Sequence, residues 1–263
     1  MLLDDKIAVI HGAGGDIGGA VAQAFAREGA KLFLSGRNLP TVQAIAAKIT
    51  ERGGHAEAAQ LDALDEPAVD EYLRAIAEKT KRIDISFNAI SVAKALPGKG
   101  PLLELSAEHF CLPIVAYTRA NFITARAAAR HMVRRRSGVI LTISGTPGRM
   151  GFANVGGTGP AYAAVVALTR SLSVELGPQG VRAVCLMPNA IPETSTIRDS
   201  FASYARALGV SQAQFQAQLE NMTHLRRLTT LEELANAAAF AASERGRALT
   251  GTVLNLSGGG VVD

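Results

Sequence analysis

The sequence lacks most of the features that mark membrane, secreted or metal-dependent proteins. Only two cysteines occur, Cys111 and Cys185, too few for a disulfide framework, so we interpret both as reduced and structural. No apolar run is long enough to span a membrane and no secretory leader is evident, so we expect a cytoplasmic protein without a membrane partner. No group of His, Cys, Asp and Glu has the spacing of a metal site, so no metal is expected.

A strong charge imbalance is also missing. The 27 Lys and Arg residues exceed the 23 Asp and Glu residues by only four, although the isoelectric point is near 9.3. The basic residues are dispersed, apart from Arg134-Arg135-Arg136 at a predicted helix end, where cations complement the helix dipole. This pattern does not indicate a nucleic-acid partner. At 263 residues and 48% hydrophobic, the chain suits a single α/β domain, 1–263, with a sizeable core.

The stretch from Lys6 to Arg37 predicts a nucleotide-binding unit. A short apolar strand, 7–10, leads into the glycine run His11-Gly12-Ala13-Gly14-Gly15-Asp16-Ile17-Gly18. Apolar residues then recur at helical spacing, Gly29 ends the helix, and a second strand follows. Glycine lets the main chain approach a pyrophosphate, whose charge faces the N-terminus of the helix. The order of strand, glycine turn, helix and strand is the beginning of a nucleotide-binding sheet.

The rest of the chain continues to alternate strands with helices, which predicts a Rossmann-like, doubly wound parallel sheet of about seven strands with helices on both faces. The later strands are expected at 31–35, up to 61–62, and at 83–89, 138–143, 181–187 and 252–256. Helices are expected at 39–52, 106–135, 160–176 and 231–242, with a loop at 91–101. A polar excursion at 188–227, with two short helical patterns, interrupts the alternation. It should lie beyond the C-terminal ends of the strands, so we interpret it as a substrate lid.

Arg37 ends the second predicted strand, where such folds place the adenosine ribose of a dinucleotide. An acidic residue there would accept a hydrogen bond from the ribose 2′-hydroxyl, whereas Gly36-Arg37 offers a cation to a 2′-phosphate. If a dinucleotide binds, NADP is therefore favoured over NAD. A solvated surface arginine is the alternative interpretation.

Several motifs along the chain belong to one pattern. The glycine run fits TGxxxGxG, with His11 for the threonine and Asp16 for the middle glycine. Residues 87–90 are similar to NNAG, and residues 249–259 to TGxxxxxDGG. These motifs, with residues 168–182, resemble the short-chain dehydrogenase/reductase family over essentially the whole chain. The resemblance implies the doubly wound fold and an oxidoreductase that acts on a small molecule with a nicotinamide dinucleotide.

The resemblance also implies which residues contact the cofactor and how the chain assembles. The cofactor-binding residues are expected to be Gly12, Gly14, Gly15, Asp16, Ile17, Arg37, Asp62, Asn88, Pro188 and Ile191. Asp16 adds a carboxylate near the expected pyrophosphate, a mild change if its side chain points into the helix or into solvent. The helices at 106–135 and 160–176 are apolar around most of their circumference, and in the family this pair forms an interface. We therefore expect a homo-oligomer, a dimer or a tetramer.

The family's active site depends on a Ser, a Tyr, a Lys four residues after the Tyr, and an Asn. The lysine holds the nicotinamide ribose and lowers the pKa of the tyrosine, which exchanges a proton with the substrate oxygen as hydride moves. Alignment on residues 168–172 puts the lysine at Tyr162 and the tyrosine at Thr158. A second anchor, the end of the fifth predicted strand, puts the serine at Gly145 and again the tyrosine at Thr158.

The preceding helix, aligned on residues 131–132, puts the asparagine at Tyr117, so all four catalytic positions are substituted. A competing register makes Tyr162 the catalytic tyrosine, with Val166 in place of the lysine, but it satisfies neither anchor. A threonine hydroxyl is too weak an acid to replace the tyrosine, and Tyr162 supplies no cation. The cofactor also loses the ammonium that anchors its ribose, which predicts weaker binding.

The remaining candidates for chemistry are two phenols and a hydroxyl. Tyr162 and Tyr117 would face the nicotinamide side of the cleft, with Ser144 nearby, and either phenol could donate a proton or a hydrogen bond. Alternatively, both rings fill space vacated by lost polar groups. Three functions stay open: a diverged NADP-dependent oxidoreductase, a catalytically silent nucleotide-binding member, and a lyase or isomerase that reuses the cleft.

Overall fold

The computed structural model describes residues 1–90 and 98–262 and confirms the predicted α/β order of elements. The strands are β1 (Ile7–His11), β2 (Lys31–Gly36), β3 (His55–Gln60), β4 (Ile85–Asn88), β5 (Gly138–Ile143), β6 (Val181–Pro188) and β7 (Thr252–Leu256). The helices are α1 (Asp16–Arg27), α2 (Leu39–Thr50), α3 (Glu66–Thr80), α4 (Ala107–Arg135), α5 (Thr158–Leu176), α6 (Ser195–Leu208), α7 (Gln212–Asn221) and α8 (Leu231–Ala242). Most of the loop predicted at 91–101 lies outside the described residues.

The seven strands form one parallel sheet in the order β3-β2-β1-β4-β5-β6-β7. The direction of winding reverses at β1, where Val9 lies opposite Phe33 of β2 on one side and Ser86 of β4 on the other. In open parallel sheets, ligands bind at such a reversal, outside the C-terminal ends of the strands. The topology therefore places the candidate site at the ends of β1, β4, β5 and β6.

The two faces of the sheet carry separate hydrophobic cores, and β1 contributes to both. Ala8 and Ile10 belong to a core with residues of α1, α2 and α8, whereas Ile7 and Val9 belong to a core with residues of α3 and α4. Successive side chains of a strand point to opposite faces, so only an uninterrupted apolar run can serve both cores. This requirement explains why all five residues of β1 are buried.

A few predicted features need correction. α5 begins at Thr158 rather than at 160, because Pro160 is compatible with the first turn of a helix. α2 ends at Thr50 rather than at 52, and β4 is shorter than predicted, Ile85–Asn88 instead of 83–89. Cys185 is buried in β6, but Cys111 is exposed on α4, so a structural role for Cys111 is wrong. Among the described residues, no helix is long and apolar enough to cross a membrane.

The segment 188–227, called here the lid segment, contains two helices, as predicted: α6 and α7. Phe201 of α6 packs against Phe215 of α7 with ring centroids 5.4 Å apart. Asn189 joins the two ends of the segment to the end of β7. Its Nδ2 donates to the carbonyl of Ser257 at 2.8 Å, and its Oδ1 accepts from the backbone N–H of Thr229 at 3.0 Å.

Candidate active site

The glycine turn between β1 and α1 requires glycine at two positions. Gly12 has φ +77°, and a Cβ there would lie 2.9 Å from the carbonyl carbon of Ala89. A Cβ on Gly18 would lie 2.4 Å from the Gly12 carbonyl oxygen. These contacts hold the turn close to the end of β4, so both glycines serve packing whether or not a ligand binds.

The N-terminus of α1 is not capped by a side chain. Six of the eight α-helices in the described ranges 1–90 and 98–262 begin with a residue whose side chain accepts a backbone N–H: Asn38, Asp65, Ser106, Thr194, Ser211 and Thr230. α1 instead begins after Gly15, which has no side chain to offer. The first backbone N–H groups of α1 therefore remain available to an anion at the end of the sheet.

The carboxylate of Asp16 is bonded to a residue outside its own helix. Its Oδ2 accepts hydrogen bonds from the backbone N–H and from the hydroxyl of Ser195, both at 2.7 Å. Ser195 is the first residue of α6, so the glycine turn is joined directly to the lid segment. Asp16 is also exposed, so its carboxylate is partly open to solvent and partly bonded to the lid segment.

The residues expected near the adenosine lie at the surface. Arg37 is exposed just after β2, and its guanidinium pairs with no acidic side chain of the described residues. The side chain of Gln60 donates to the Arg37 carbonyl at 3.1 Å, which holds the backbone of this strand end. Asp62 is also exposed, and its carboxylate accepts the backbone N–H of Leu64 at 3.0 Å. Both charged side chains can therefore be reached by a ligand.

Asn88 has a structural task that the sequence did not indicate. Its Nδ2 donates to the carbonyl of Ala120 at 3.2 Å and to the hydroxyl of Thr124 at 2.9 Å, both on α4. Its Oδ1 accepts the backbone N–H of Ile90 at 3.0 Å. The side chain thus anchors α4 to the end of β4. Pro188 ends β6, and Ile191, near the start of the lid segment, is buried.

Tyr117, Gly145 and Tyr162 meet at the end of β5. The Tyr117 hydroxyl donates to the carbonyl of Ile143 at 2.6 Å, and its ring packs edge-to-face on Tyr162 with centroids 5.6 Å apart. A Cβ on Gly145 would lie 2.9 Å from Cε2 of Tyr162. The Tyr162 ring therefore occupies the space that a side chain at position 145 would need.

The hydroxyl groups of this cluster differ in their bonding. Burial raises the pKa of both Tyr117 and Tyr162, and the neighbouring Tyr162 and Cys185 raise that of Tyr117 further. Both phenols are therefore neutral hydrogen-bond donors near pH 7. The Tyr117 hydroxyl is already used, whereas the Tyr162 hydroxyl has no hydrogen-bond partner within the described part of the chain.

Thr158 and Ser144 lie on either side of this cluster. Thr158 is buried at the start of α5, one turn before Tyr162, so both side chains belong to the same helix face. Ser144 is also buried, and its backbone N–H donates to the carbonyl of Leu186 on β6 at 2.9 Å. Of the two phenols, that of Tyr162 is the one whose hydroxyl makes no hydrogen bond within the described residues.

His11, at the position of the motif's threonine, is fully buried. Its Nδ1 lies 2.9 Å from the hydroxyl of Ser35, and its Nε2 has no partner among residues 1–90 and 98–262. Burial lowers the pKa of His11 to about 4, so the imidazole is neutral at physiological pH. Within the described residues, no three His, Cys, Asp or Glu side chains cluster around a possible metal position.

Two contacts of the lid segment were not anticipated from the sequence. Lys99 donates to the hydroxyl of Ser200 at 3.2 Å, and burial lowers the pKa of this lysine. The Tyr204 hydroxyl donates to the carbonyl of Ala153 at 3.2 Å. A helix start after Thr194 can be predicted from local sequence, but these partners are far apart in the chain, so periodicity carries no signal for them.

Comparison with known proteins assigns the family. A family model described as Enoyl-(Acyl carrier protein) reductase matches residues 12–260. Over 259 residues the chain is 32% identical to the peroxisomal 2,4-dienoyl-CoA reductase, (3E)-enoyl-CoA-producing, of Pongo abelii, covering 98% of this chain and 84% of that protein. The chain belongs to the short-chain dehydrogenase/reductase family.

Solved structures agree with this assignment. The gluconate 5-dehydrogenase of Burkholderia cenocepacia J2315, in complex with NADP and tartrate, is 26% identical with a TM-score of 0.84, covering 98% of this chain and 95% of that one. An NAD+-bound xylitol dehydrogenase shares the fold, with a TM-score of 0.89 at 22% identity and coverage of 98% and 100%. The protein is thus of the oxidoreductase type, and its relatives include both NADP-bound and NAD-bound structures.

Proposed function

We propose that this protein is an NADP(H)-dependent reductase of a small molecule whose active site uses Tyr162 in place of the family's usual catalytic residues. The observation that carries the proposal is the free hydroxyl of Tyr162, whose ring packs against Tyr117 and over Gly145 at the end of β5. These contacts fit the register in which Tyr117, Gly145, Thr158 and Tyr162 occupy the four tetrad positions. In this register the site contains no tyrosine–lysine pair of the family's kind.

The residues present suit a nicotinamide dinucleotide. The uncapped N-terminus of α1 offers backbone N–H groups to a pyrophosphate, and Gly12 and Gly18 keep the chain close enough for that approach. The exposed guanidinium of Arg37 is placed to bind a 2′-phosphate, which favours NADP over NAD. The reduced nucleotide supplies a hydride when it is bound.

Tyr162 is suited to hold a substrate oxygen without giving up its proton. The family's lysine lowers the pKa of its tyrosine, whereas burial raises the pKa of Tyr162, and no cation in the described residues offsets this shift. A neutral phenol still donates a hydrogen bond that polarises a carbonyl, and the proton then comes from solvent. Acceptors already activated by conjugation fit this site better than simple ketones. A relative named for a conjugated dienoyl-CoA substrate supports this class of acceptor.

The lid segment is placed to enclose such a substrate. α6 contacts the glycine turn through Asp16 and the loop before α5 through Tyr204. Both contacts join α6 to segments that follow the C-terminal ends of strands, the glycine turn after β1 and the loop after β5. Enclosure excludes water and strengthens a single hydrogen bond from Tyr162.

Calorimetric titration of the purified protein with NADPH and NADH tests the cofactor. Arg37→Ala is expected to weaken NADPH binding about tenfold to a hundredfold, which is the contribution of one charged hydrogen bond to the affinity. The affinity for NADH should stay nearly unchanged. Arg135→Ala, which removes an exposed arginine at the end of α4, is the matched control and should change neither. Equal weakening of both nucleotides by Arg37→Ala would refute the NADP preference. Failure of the parent protein to bind either nucleotide would favour the lyase or isomerase.

Turnover then separates the remaining alternatives. NADPH oxidation with a conjugated enone, and its loss in Tyr162→Phe with unchanged nucleotide affinity, would support the proposed reductase. The phenylalanine keeps the packing against Tyr117 and removes only the hydroxyl, so it isolates the hydrogen bond. Nucleotide binding without turnover on any conjugated or simple carbonyl compound would instead identify a silent member.

A further inference from the structure

Two buried threonines beside the candidate site have hydroxyl groups that the fold does not use. Most buried serine and threonine side chains of the described residues make a hydrogen bond. Thr146 and Thr158 make none within residues 1–90 and 98–262, although they are only 7% and 8% exposed. Ser144 makes only a 3.5 Å contact with the next carbonyl, and Ser86, also unbonded in these ranges, lies near the start of β4 at the opposite edge of the sheet. Because a buried hydroxyl without a partner lowers stability, the two threonines indicate a partner outside the described chain.

The two threonines belong to segments that pack against each other after the end of β5. Thr146 begins a short 3₁₀ turn, Thr146–Gly148, and Thr158 is the first residue of α5. A Cβ on Gly148 would lie only 2.9 Å from Cβ of Tyr162. The 3₁₀ turn therefore lies directly against the first turns of α5, next to the ring that forms part of the candidate site.

Neither hydroxyl is sealed inside the protein. Within the described chain, the polar side-chain atoms that have neither a partner nor contact with solvent include Nε2 of His11 and Oγ1 of Thr118, but no atom of Thr146 or Thr158. A ligand in the cleft can therefore reach both hydroxyls. Thr158 and Tyr162 are four residues apart on α5, so their side chains lie on the same helix face. The phenol extends much farther from the helix than the threonine hydroxyl, so the two groups would contact different atoms of a ligand.

The segments that carry the two threonines are uncharged. Residues 144–148 and 158–162 contain no acidic or basic side chain. Arg149, the next residue after the 3₁₀ turn, is exposed, and its guanidinium donates to the carbonyl of Val262 at 3.4 Å. A carboxylate or phosphate buried between these segments would lack a counter-ion, whereas a threonine hydroxyl can both donate to and accept from a neutral oxygen group. The surroundings therefore favour a neutral ligand group over an ionised one.

We infer that Thr146 and Thr158 form a subsite for a second, uncharged oxygen of the substrate, a hydroxyl or a carbonyl group, while Tyr162 binds the reacting carbonyl. This inference rests on the proposed function and narrows its substrate to a conjugated carbonyl compound that carries such a group. Hydrogen bonds to the second oxygen would fix the orientation of the substrate in the cleft. The two threonines thus determine specificity and do not transfer a proton.

NADPH oxidation with cyclohexenone and with its hydroxycyclohexenone isomers tests the subsite. The parent should use at least one hydroxylated isomer with a kcat/KM about tenfold above that for cyclohexenone. Thr146→Val and Thr158→Val keep the shape of the side chain and remove the hydroxyl, so each should lower this ratio about fivefold, and Thr158→Ser should preserve it. Thr50→Val, at an exposed threonine that ends α2, is the matched control and should change neither value.

Stability without substrate provides a measurement that does not depend on turnover. Because the two hydroxyls have no partner in the described chain, Thr146→Val and Thr158→Val should not lower the free energy of unfolding in urea. Thr169→Val removes a hydroxyl that bonds to Thr142 and to the Val165 carbonyl, both at 2.8 Å, so it should lower that free energy. A loss in the first two variants as large as in Thr169→Val would overturn the inference.

The turnover results also separate this inference from the proposed function. If the parent reduces cyclohexenone and every hydroxylated isomer equally well, or if both valine variants leave the ratio unchanged, the inference is overturned and the proposed reductase stands. If the parent oxidises NADPH with none of these compounds, both are overturned. A ratio that falls in both valine variants and not in Thr50→Val would support both.

Discussion

The packing of Tyr162 over Gly145 leads to a prediction with a calculable size. In Gly145→Ser, the new Cβ would lie 2.9 Å from Cε2 and 3.3 Å from Cδ2 of Tyr162. The first distance is shorter than real Cβ atoms adopt and the second is tight, and the ring cannot simply turn away because Tyr117 packs on it. Overpacking of this kind costs about 1–3 kcal/mol. We expect Gly145→Ser to lower the free energy of unfolding by that amount.

The cost should vanish when the ring is removed. In Tyr162→Lys, a flexible chain replaces the ring, so the serine at position 145 gains the space it needs. The double variant should therefore be more stable than the sum of the single changes predicts, by about 1–2 kcal/mol. Urea denaturation of the parent, both single variants and the double variant measures this coupling energy directly.

Gly151→Ser provides the matched control, because a Cβ at Gly151 would meet no atom within 4 Å. Its effect should be small and additive with Tyr162→Lys within about 0.5 kcal/mol. If Gly145→Ser costs no more than Gly151→Ser, or if its effect is additive with that of Tyr162→Lys, the ring does not fill the space of the missing side chain. Either result would refute the packing on which the proposed site depends.

Three further predictions test the site, the assembly and the core. Gly145→Ser, Thr158→Tyr and Tyr162→Lys together should allow NADPH-dependent reduction of a simple ketone, whereas Thr158→Tyr alone should give little, because its phenol would lack the cation that lowers its pKa. Rescue by Val166→Lys alone would instead favour the competing register. Light scattering at micromolar concentration should give a dimer or tetramer, since Val115, Phe122 and Val174 expose apolar surface on α4 and α5, and a monomeric mass would contradict this. His11, with a folded pKa of about 4, stays neutral while the unfolded chain is protonated below about pH 6.5, so stability should fall as the pH drops between these values, by up to about 3 kcal/mol. Urea titrations from pH 7 to 4 measure the free energy of unfolding, which should fall less steeply with pH in His11→Gln than in the exposed control His109→Gln. Equal slopes in the two variants would contradict a neutral, buried His11.

The alternation of strands and helices could be predicted because it depends on local sequence. β1 is apolar at every position since it serves two cores, and the helices of both faces show apolar residues at helical spacing. Turn glycines and capping residues then set the boundaries. The errors were of one or two residues, as at the start of α5, where Pro160 was expected to begin the helix but lies in its first turn.

The long-range contacts of the candidate site could not be predicted from local sequence. Asp16 and Ser195 are 179 positions apart, and nothing in either local sequence shows that α6 returns to the glycine turn. Asn88 looked like a cofactor residue by its motif, but its side chain is engaged by α4. Which way a polar side chain points depends on the partners that tertiary structure supplies, and periodicity contains no information about them.

If Tyr117, Gly145 and Tyr162 occupy tetrad positions, as proposed, their substitutions compensate one another in packing. Without a side chain at Gly145, a cavity would remain at the end of β5, and the ring of Tyr162 fills it. Tyr117 supports that ring, and its own hydroxyl bonds to the Ile143 carbonyl, so neither aromatic leaves a buried polar group unpaired against β5. The Tyr117–Gly145–Tyr162 cluster is packed as a unit, and of its two phenols only that of Tyr162 lacks a hydrogen-bond partner in the described chain. Because this hydroxyl is not sealed from solvent, a substrate oxygen can reach it, as the proposed function requires.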